Sequence, residues 1–451
     1  MAAKALESLV SELSPGATIT TDAPSRWSTF KAPRIVATVN VANEDDVAAT
    51  VLFCNNNGLS FLAQNGGNGW AAFPQTKDVV IIDLCALNSF ELAADKKTAV
   101  IGGGARVKET IDAADAAGVC VMTGNCNSVG VLGASLGGGY GNMMGKLGFG
   151  VDVIQEMRVV TASGELRTVS ATQNEDLFWA MRGAGPNFGI VTSATVKALV
   201  MSKDERMAWS GALIFTDDKL EAIVEAIDNL QLEPETVCFL YLGSSGPPSH
   251  APVVIVTLWQ LHGTPESGKE FFRSLFDIGP MMDTTSILPY TEWNTGANPF
   301  CEHMKRKPAF GAGFGKMEPK IWRDVWHKYV EFQQRPGAHG SVILLEAYPP
   351  SKSKLSGAVP SSFPHRSVRF NAAVMPWYDD EALDEEGAKF AQEVRELWQT
   401  NCGLTSNASY VNFAHGDEPL EEIYGDSLPR LQELKHKWDP ENKFNQWFNI
   451  Q

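Results

Sequence analysis

Apolar positions in the first 200 residues switch between the period of a strand and the period of a helix. Residues 34–40 (Arg-Ile-Val-Ala-Thr-Val-Asn) form a β-rich run. Asn43 then stands as a cap before Glu44-Asp45-Asp46, opening a helix with Val47, Val51 and Leu52 on its apolar side and its end at Gly58. Phe61-Leu62-Ala63, residues 79–84 and residues 98–101 read as strands. Residues 107–117 read as a helix and 119–122 as a strand. Residues 151–198 add strands and a short helix headed by the capping box Thr172-Gln-Asn-Glu175. The first residues, interrupted by Glu7 and Glu12, predict a short amphipathic helix ending near Pro15-Gly16.

From about residue 205 the texture changes. Long β-branched or aromatic runs occur at 236–243, 251–262, 340–348 and 366–378, with amphipathic helices near 217–230, 265–277, 318–334 and 380–400. Four such strands with helices predict one antiparallel sheet covered on one face by helices. The Pro/Ser-rich segment 349–364 is a loop, and from 405 the pattern changes again, to a final helix ending at Trp438-Asp-Pro440. The fold class expected is α+β.

Bulk properties narrow the function. A chain of 451 residues is too long for one ordinary domain. With 37 basic and 53 acidic residues its net charge is −16, which disfavours nucleic acid and anionic membrane surfaces as partners. No run of about 18 uncharged apolar residues occurs, so no membrane span is expected. The N-terminal residues lack the apolar centre of a secretory leader. Cysteines 54, 85, 120, 126, 238, 301 and 402 are scattered and odd in number, which favours reduced thiols and a cytoplasmic location. No His/Cys spacing recommends a metal.

Two glycine-rich stretches carry the chemistry. Residues 124–141, Gly-Asn-Cys-Asn-Ser-Val-Gly-Val-Leu-Gly-Ala-Ser-Leu-Gly-Gly-Gly-Tyr-Gly, hold no acidic side chain, and Gln64-Asn-Gly-Gly-Asn-Gly-Trp70 lies upstream. Glycine lets backbone N–H groups approach an anion closely, so the pair predicts a cradle for a dinucleotide. Gly102-Gly-Gly-Ala-Arg106 does not sit in a Rossmann unit with an acidic residue about 20 positions on, as a nicotinamide site needs, and reads as a strand-end turn.

These stretches, followed by Gly183-Ala-Gly-Pro-Asn-Phe-Gly-Ile190, resemble the FAD-linked oxidases of the berberine-bridge-enzyme-like group, in the vanillyl-alcohol-oxidase class of flavoproteins. Tyr410-Val-Asn-Phe413, Tyr424-Gly425, Arg430-Leu431, Lys435 and Asp439-Pro-Glu-Asn-Lys-Phe444 are similar to that group's C-terminal signature, and the style of the glycine turns is that of intracellular fungal members, often found in secondary metabolism. The resemblance implies a two-lobed FAD domain of the PCMH type built from residues 1–204 and 405–451, with a substrate domain, 205–404, inserted between them.

By the same resemblance, FAD contacts are expected from Asn65, Gly66, Gly67, Asn68 and Gly69, from Gly124, Cys126, Ser128, Val129, Gly130, Gly133, Ser135, Gly138, Gly139, Tyr140 and Gly141, and from Gly189, Ile190, Val191 and Asn412. Asn68 stands where many relatives carry the histidine bonded to the flavin, so no histidyl link is expected. Cys126 stands where relatives place a cysteine bonded to flavin C6, and is either attached or an unattached loop residue. The positions that supply a general base in relatives carry Phe413 and Asn371 or Ala373. Tyr410, beside Asn412, is the leading acid/base candidate, with His303, His365 and Glu346 in reserve. The implied function is oxidation of a largely apolar small molecule, with hydride passing to flavin N5 and O₂ as acceptor. The alternative is a non-redox cyclase in which the flavin is structural, and a third reading is a flavin-holding binding protein. Trp259, Trp293 and Trp377 suit an apolar pocket.

Overall fold

Parallel strands need a crossover between them, and the helix Glu44–Asn56 supplies one. Its cap Asn43 accepts from the N–H groups of Asp45 and Asp46, and the Asp46 carboxylate accepts from the N–H of Asn43. Ile35–Asn40 leads into this helix and Ser60–Gln64 leaves it. Val79–Asp83 lies between those strands, parallel to both, and Thr18–Thr20 adds an antiparallel edge. The structure, a computed structural model, describes Leu6, 8–73, 78–349 and 359–451. The expected N-terminal helix and the loop 349–364 lie partly outside these residues; Val10–Glu12 is a 3₁₀ turn.

A second sheet runs in the order Phe90–Leu92, Thr98–Gly102, Gly189–Val200, Ile154–Thr161, Leu166–Ser170, with Val119–Val121 also paired to Gly189–Val200. The turn after Thr98–Gly102 is a point of close backbone approach. A Cβ on Gly102 or Gly104 would lie 1.9 Å from the carbonyl oxygen of Leu87 or Leu84. One helix start differs from expectation. Helix Glu175–Ala184 begins after Asn174, which has a left-handed φ of 54° and makes no side-chain cap. The Thr172 capping box does not form: the helix starts two residues later than expected, Thr172 pairs with the Ser170 hydroxyl (3.4 Å), and the Asn174 amide donates to the Thr168 carbonyl (2.8 Å).

The third sheet has eight strands and is antiparallel throughout. Its order is Met282–Asp283, Met207–Phe215, Pro252–Leu261, Thr236–Ser244, Val342–Ala347, Phe370–Met375, Phe310–Phe314, with Ser286–Pro289 also against Met207–Phe215. The sequence pattern reveals four of these. Met207–Phe215 and Phe310–Phe314 escape it because Gly211, Gly311 and Gly313 interrupt their apolar runs.

Alternate side chains separate this sheet into two layers. Leu240, Leu242, Ile343, Leu345, Ala372 and Val374 pack with Val224, Trp322, Val325, Tyr329, Phe390 and Val394 of helices Leu220–Asn229, Pro319–Gln333 and Asp384–Thr400. Phe239, Tyr241, Val342, Tyr348, Ala373 and Met375 point the other way, into the apolar cluster shared with Ile111, Leu132 and Val159. The helix-free face thus becomes the roof over the N-terminal half.

The chain returns through helix Leu428–Trp438. Lys435, fully buried, donates to Asp439 Oδ2 (2.7 Å), the Asn187 carbonyl (2.8 Å) and the Phe444 carbonyl (2.7 Å). Burial pulls the Lys435 pKa down, opposed by Asp439. Removing one member of such a pair costs about 3–5 kcal/mol. Lys435→Met is therefore expected to lower the urea midpoint clearly, and Lys435→Met with Asp439→Asn to regain part of the loss, as read by tryptophan fluorescence; equal midpoints for wild type and Lys435→Met would refute this account.

Candidate functional site

Between the helix-free sheet face and the glycine-rich turns lies a cavity of about 1030 Å³. Asn65, Gly66, Gly67, Asn68, Gly69, Gly124, Cys126, Val129, Gly130, Gly133 and Tyr140 line it, and Tyr410, Asn412 and Phe413 reach it from the C-terminal return. A smaller cavity of about 140 Å³ is lined by Gly103, Gly189, Ile190, Val191 and Phe444. Leu62–Asn65, Gly133, Pro186 and Trp447 line both.

The two glycine-rich turns are interlocked. Asn68 Nδ2 donates to the carbonyls of Gly66 (2.8 Å) and Ser128 (2.9 Å), and Ser128 Oγ donates to Asn68 Oδ1 (3.1 Å). A Cβ on Gly66 would stand 2.3 Å from the Ser128 carbonyl oxygen. Asn65 Nδ2 is held by the carbonyls of Gly103 (2.9 Å) and Ala105 (3.0 Å). Asn68 therefore joins the two turns.

Ser135, Gly138, Gly139 and Gly141, in the second half of the long glycine run, line neither cavity. Ser135 Oγ donates to the Val131 carbonyl (2.8 Å), and the Gly138 N–H is taken by the Ser135 carbonyl (3.1 Å). The Gly139 N–H donates to Tyr410 Oη (3.2 Å). A Cβ on Gly141 would lie 1.9 Å from the Thr123 carbonyl oxygen. These glycines let backbone pack against backbone and against the C-terminal return. Ser128 likewise acts through Asn68.

Tyr410 Oη also accepts from Asn412 Nδ2 (2.7 Å), which donates to the Ala134 carbonyl as well (2.8 Å). Burial pushes the Tyr410 phenol up to about 12. Phe413 lies between Trp70 and Tyr410, with ring centroids 5.1 and 5.3 Å away. His303 and His365 do not line the cavity. His303 Nδ1 shares a hydrogen bond with Ser25 Oγ (2.9 Å) and His365 Nε2 with the Ile423 carbonyl (2.9 Å).

Glu346 does line the cavity, opposite Asn371 in strand register. Tyr348 Oη donates to Glu346 Oε2 (3.1 Å) and accepts from Asn125 Nδ2 (2.8 Å); Asn125 Oδ1 in turn accepts from the Asn142 N–H (3.2 Å). Loss of water pushes the Glu346 carboxyl up to about 7, with the Tyr348 bond pulling back. Phe239, Tyr241, Trp259 and Trp293 stand around the same space, and Tyr241 stacks on Phe300 at 5.3 Å. Tyr348, Asn125 and Arg26 escape the sequence reading. The first had a signal: residues 346 and 348, two apart on a strand, share a face. Arg26, also a lining residue, donates to Gln64 Oε1 (2.7 Å) and the Gly69 carbonyl (2.8 Å), and burial pulls it down to about 10.

The cysteines depart from expectation at one place. Cys126 and Cys301 are paired as a disulfide, their Cα atoms 6.5 Å apart, while Cys54, Cys85, Cys120, Cys238 and Cys402 are free thiols. Cys126 and Cys301 were expected to be reduced; the fold sets them side by side although 175 positions separate them. Among the described residues, no helix is long and apolar enough to cross a membrane, and no group of three His, Cys, Asp or Glu side chains could hold a metal ion.

Residues 35–170 match the family described as FAD binding domain, and residues 409–451 the family Berberine and berberine like. The FAD-linked oxidoreductase OXR1 of Pyricularia oryzae is 30% identical over 93% of this chain and 84% of its own. The FAD-linked oxidoreductase fogF of Aspergillus ruber is 30% identical over 95% of this chain and 88% of its own. In fold, the chain is similar to glucooligosaccharide oxidase from Acremonium strictum, a structure with a 6-S-cysteinyl, 8α-N1-histidyl FAD (TM-score 0.82, 18% identity, 99% of each chain covered).

The geometry fits FAD. The larger cavity has room for a ring system and a second molecule, and the smaller one extends it along Gly133. An added Cβ at Gly133 would meet nothing within 4 Å among the described residues, so this glycine opens onto the cofactor space without being needed for packing. Gly133→Phe is expected to fold with the wild-type circular dichroism spectrum and to lose most of its flavin, measured as the 450-to-280 nm absorbance ratio after reconstitution. A wild-type ratio would show that the cofactor runs elsewhere.

Proposed function

The chain belongs to the berberine-like FAD-linked oxidoreductases, and from that footing we propose that it oxidises a largely apolar small molecule held under the aromatic roof, with Glu346 as the group that receives the substrate proton. The observation that carries this reading is the Glu346 carboxylate, set among the aromatic rings of the cavity apart from the exposed lining carboxylates Glu302 and Asp379, and poised near neutral pH by desolvation. A general base works best with its pKa near the operating pH. FAD, when bound, accepts hydride at N5 and passes the electrons to O₂. Tyr348 and Asn125 fix the direction of the carboxylate. Phe239, Tyr241, Trp259 and Trp293 exclude water and orient apolar substrate. Tyr410, whose oxygen already accepts two hydrogen bonds, and Asn412 hold the glycine run in place at the edge of the cavity.

The FAD contacts fall to Asn65, Gly66, Gly67, Asn68, Gly69, Gly124, Val129, Gly130, Gly133 and Tyr140 in the larger cavity and to Gly189, Ile190 and Val191 in the smaller. A cytoplasmic place in secondary metabolism suits the acidic charge, the mostly free thiols and the likeness to fungal relatives. A second reading, non-redox cyclisation by orientation alone, is favoured by Phe413, Asn371 and Ala373 at positions without a proton acceptor.

Anaerobic mixing with substrate separates the two, because oxidation bleaches the flavin and cyclisation does not. For oxidation, Glu346→Gln is expected to slow bleaching about 10²–10⁴-fold. The base acts as carboxylate, so the wild-type rate should rise with pH and level off above about 7, and that limb should vanish in the variant. Turnover without bleaching would establish the cyclase.

A further inference from the structure

Cys126 lies in the glycine-rich turn on the floor of the larger cavity, and Cys301 ends the 3₁₀ segment Thr295–Cys301 on its wall. Their Cα separation of 6.5 Å is within the span a disulfide bridges. The two segments also meet without the sulfur atoms. Asn127 Nδ2 donates to Asn298 Oδ1 (2.8 Å), and Asn294 Nδ2 to the Gly124 carbonyl (3.2 Å). Trp27 Nε1 donates to the Phe300 carbonyl (2.7 Å), steadying the wall segment from the N-terminal side. These contacts flank Cys126 on both sides and hold the segment leading into Cys301 against it, and none of them depends on a bond between the sulfur atoms. Both cysteines are half-buried, so a small thiol or disulfide has access.

We propose that Cys126 and Cys301 form a reversible disulfide that withholds Cys126 from the flavin, so that thiol redox state decides whether the cofactor is tethered or dissociable. The inference rests on the FAD reading only for the second half of that statement. The Cys126 sulfur can hold one further partner. In the oxidised pair, each thiol loses a proton and the two electrons reduce a small disulfide such as oxidised glutathione to two thiols. In the reduced pair, Cys126 is free to bond to flavin C6. That bond replaces the C6 hydrogen, both hydrogens leave as protons, and the two electrons pass through the ring to O₂. With Asn68 in place of a histidine, no second tether competes for the role.

The test uses the full-length protein, with and without FAD, equilibrated in oxidised or reduced glutathione, then alkylated, digested without reduction and analysed by mass. The expected result is a cross-linked peptide joining residues 126 and 301 in the oxidised sample, absent from the reduced one. Cys301→Ser and reduced wild type should then keep about tenfold more flavin in the acid-precipitated pellet than oxidised wild type. Reduction of the wild type makes the comparison independent of how well the variant folds. Absence of the cross-linked peptide under oxidised glutathione overturns the proposal. So does pellet flavin that is the same in all samples. Failure of every sample to take up FAD would overturn the FAD reading instead, while the peptide masses still decide the disulfide.

Discussion

A buried ammonium must find an acceptor for each of its protons, because no water is there to supply one. Lys435 meets that demand with three segments at once: Asp439 on the helix end, Asn187 in the turn before Gly189–Val200, and Phe444 in the tail. This knot sets where the last residues of the chain lie. Only because they return to the N-terminal half do Tyr410, Asn412 and Trp447 reach the cavity. Arg395 secures the other side of the return, gripping Asp417 with both terminal nitrogens and Glu418 with one. Neither Lys435 nor Arg395 lines the cavity whose C-terminal wall they hold in place.

The eight-stranded sheet divides its labour by parity. One set of alternate residues packs under three helices, and the other set is left for the cavity. A face that would be an exposed apolar surface in an isolated domain becomes the roof of the cavity once the N-terminal half lies beneath it. Glu346 sits on this face among aromatic rings, and the same desolvation that makes it costly to ionise gives it a proton affinity near neutrality.

Much of this was legible before any coordinates. The helix 107–117 and the strands near 236–243 and 340–348 stand where their apolar periods place them, because those segments have strong patterns and clear ends. Strands rich in glycine were not legible, since Phe310–Phe314 offers too few side chains to show a period. At the site, the glycine turns announced a dinucleotide, but which glycines face the ligand depends on what the rest of the chain does. Gly139 and Gly141 are indistinguishable from Gly130 in sequence, and only the positions of Tyr410 and Thr123 show that they serve packing. The Cys126–Cys301 pair was invisible for the same reason: closeness across 175 positions is a property of the assembled chain.

Trp447 lines both cavities, and Arg26 lines the larger one. The walls therefore draw on nearly the whole length of the polypeptide. During synthesis the N-terminal half emerges first and can begin to fold on its own schedule, yet its glycine turns face an open trough until residue 447 has left the ribosome. Closure of the cofactor space consequently waits on the C-terminal return, and a polypeptide lacking it leaves the glycine turns and the apolar sheet face without the wall that Tyr410, Asn412 and Trp447 supply.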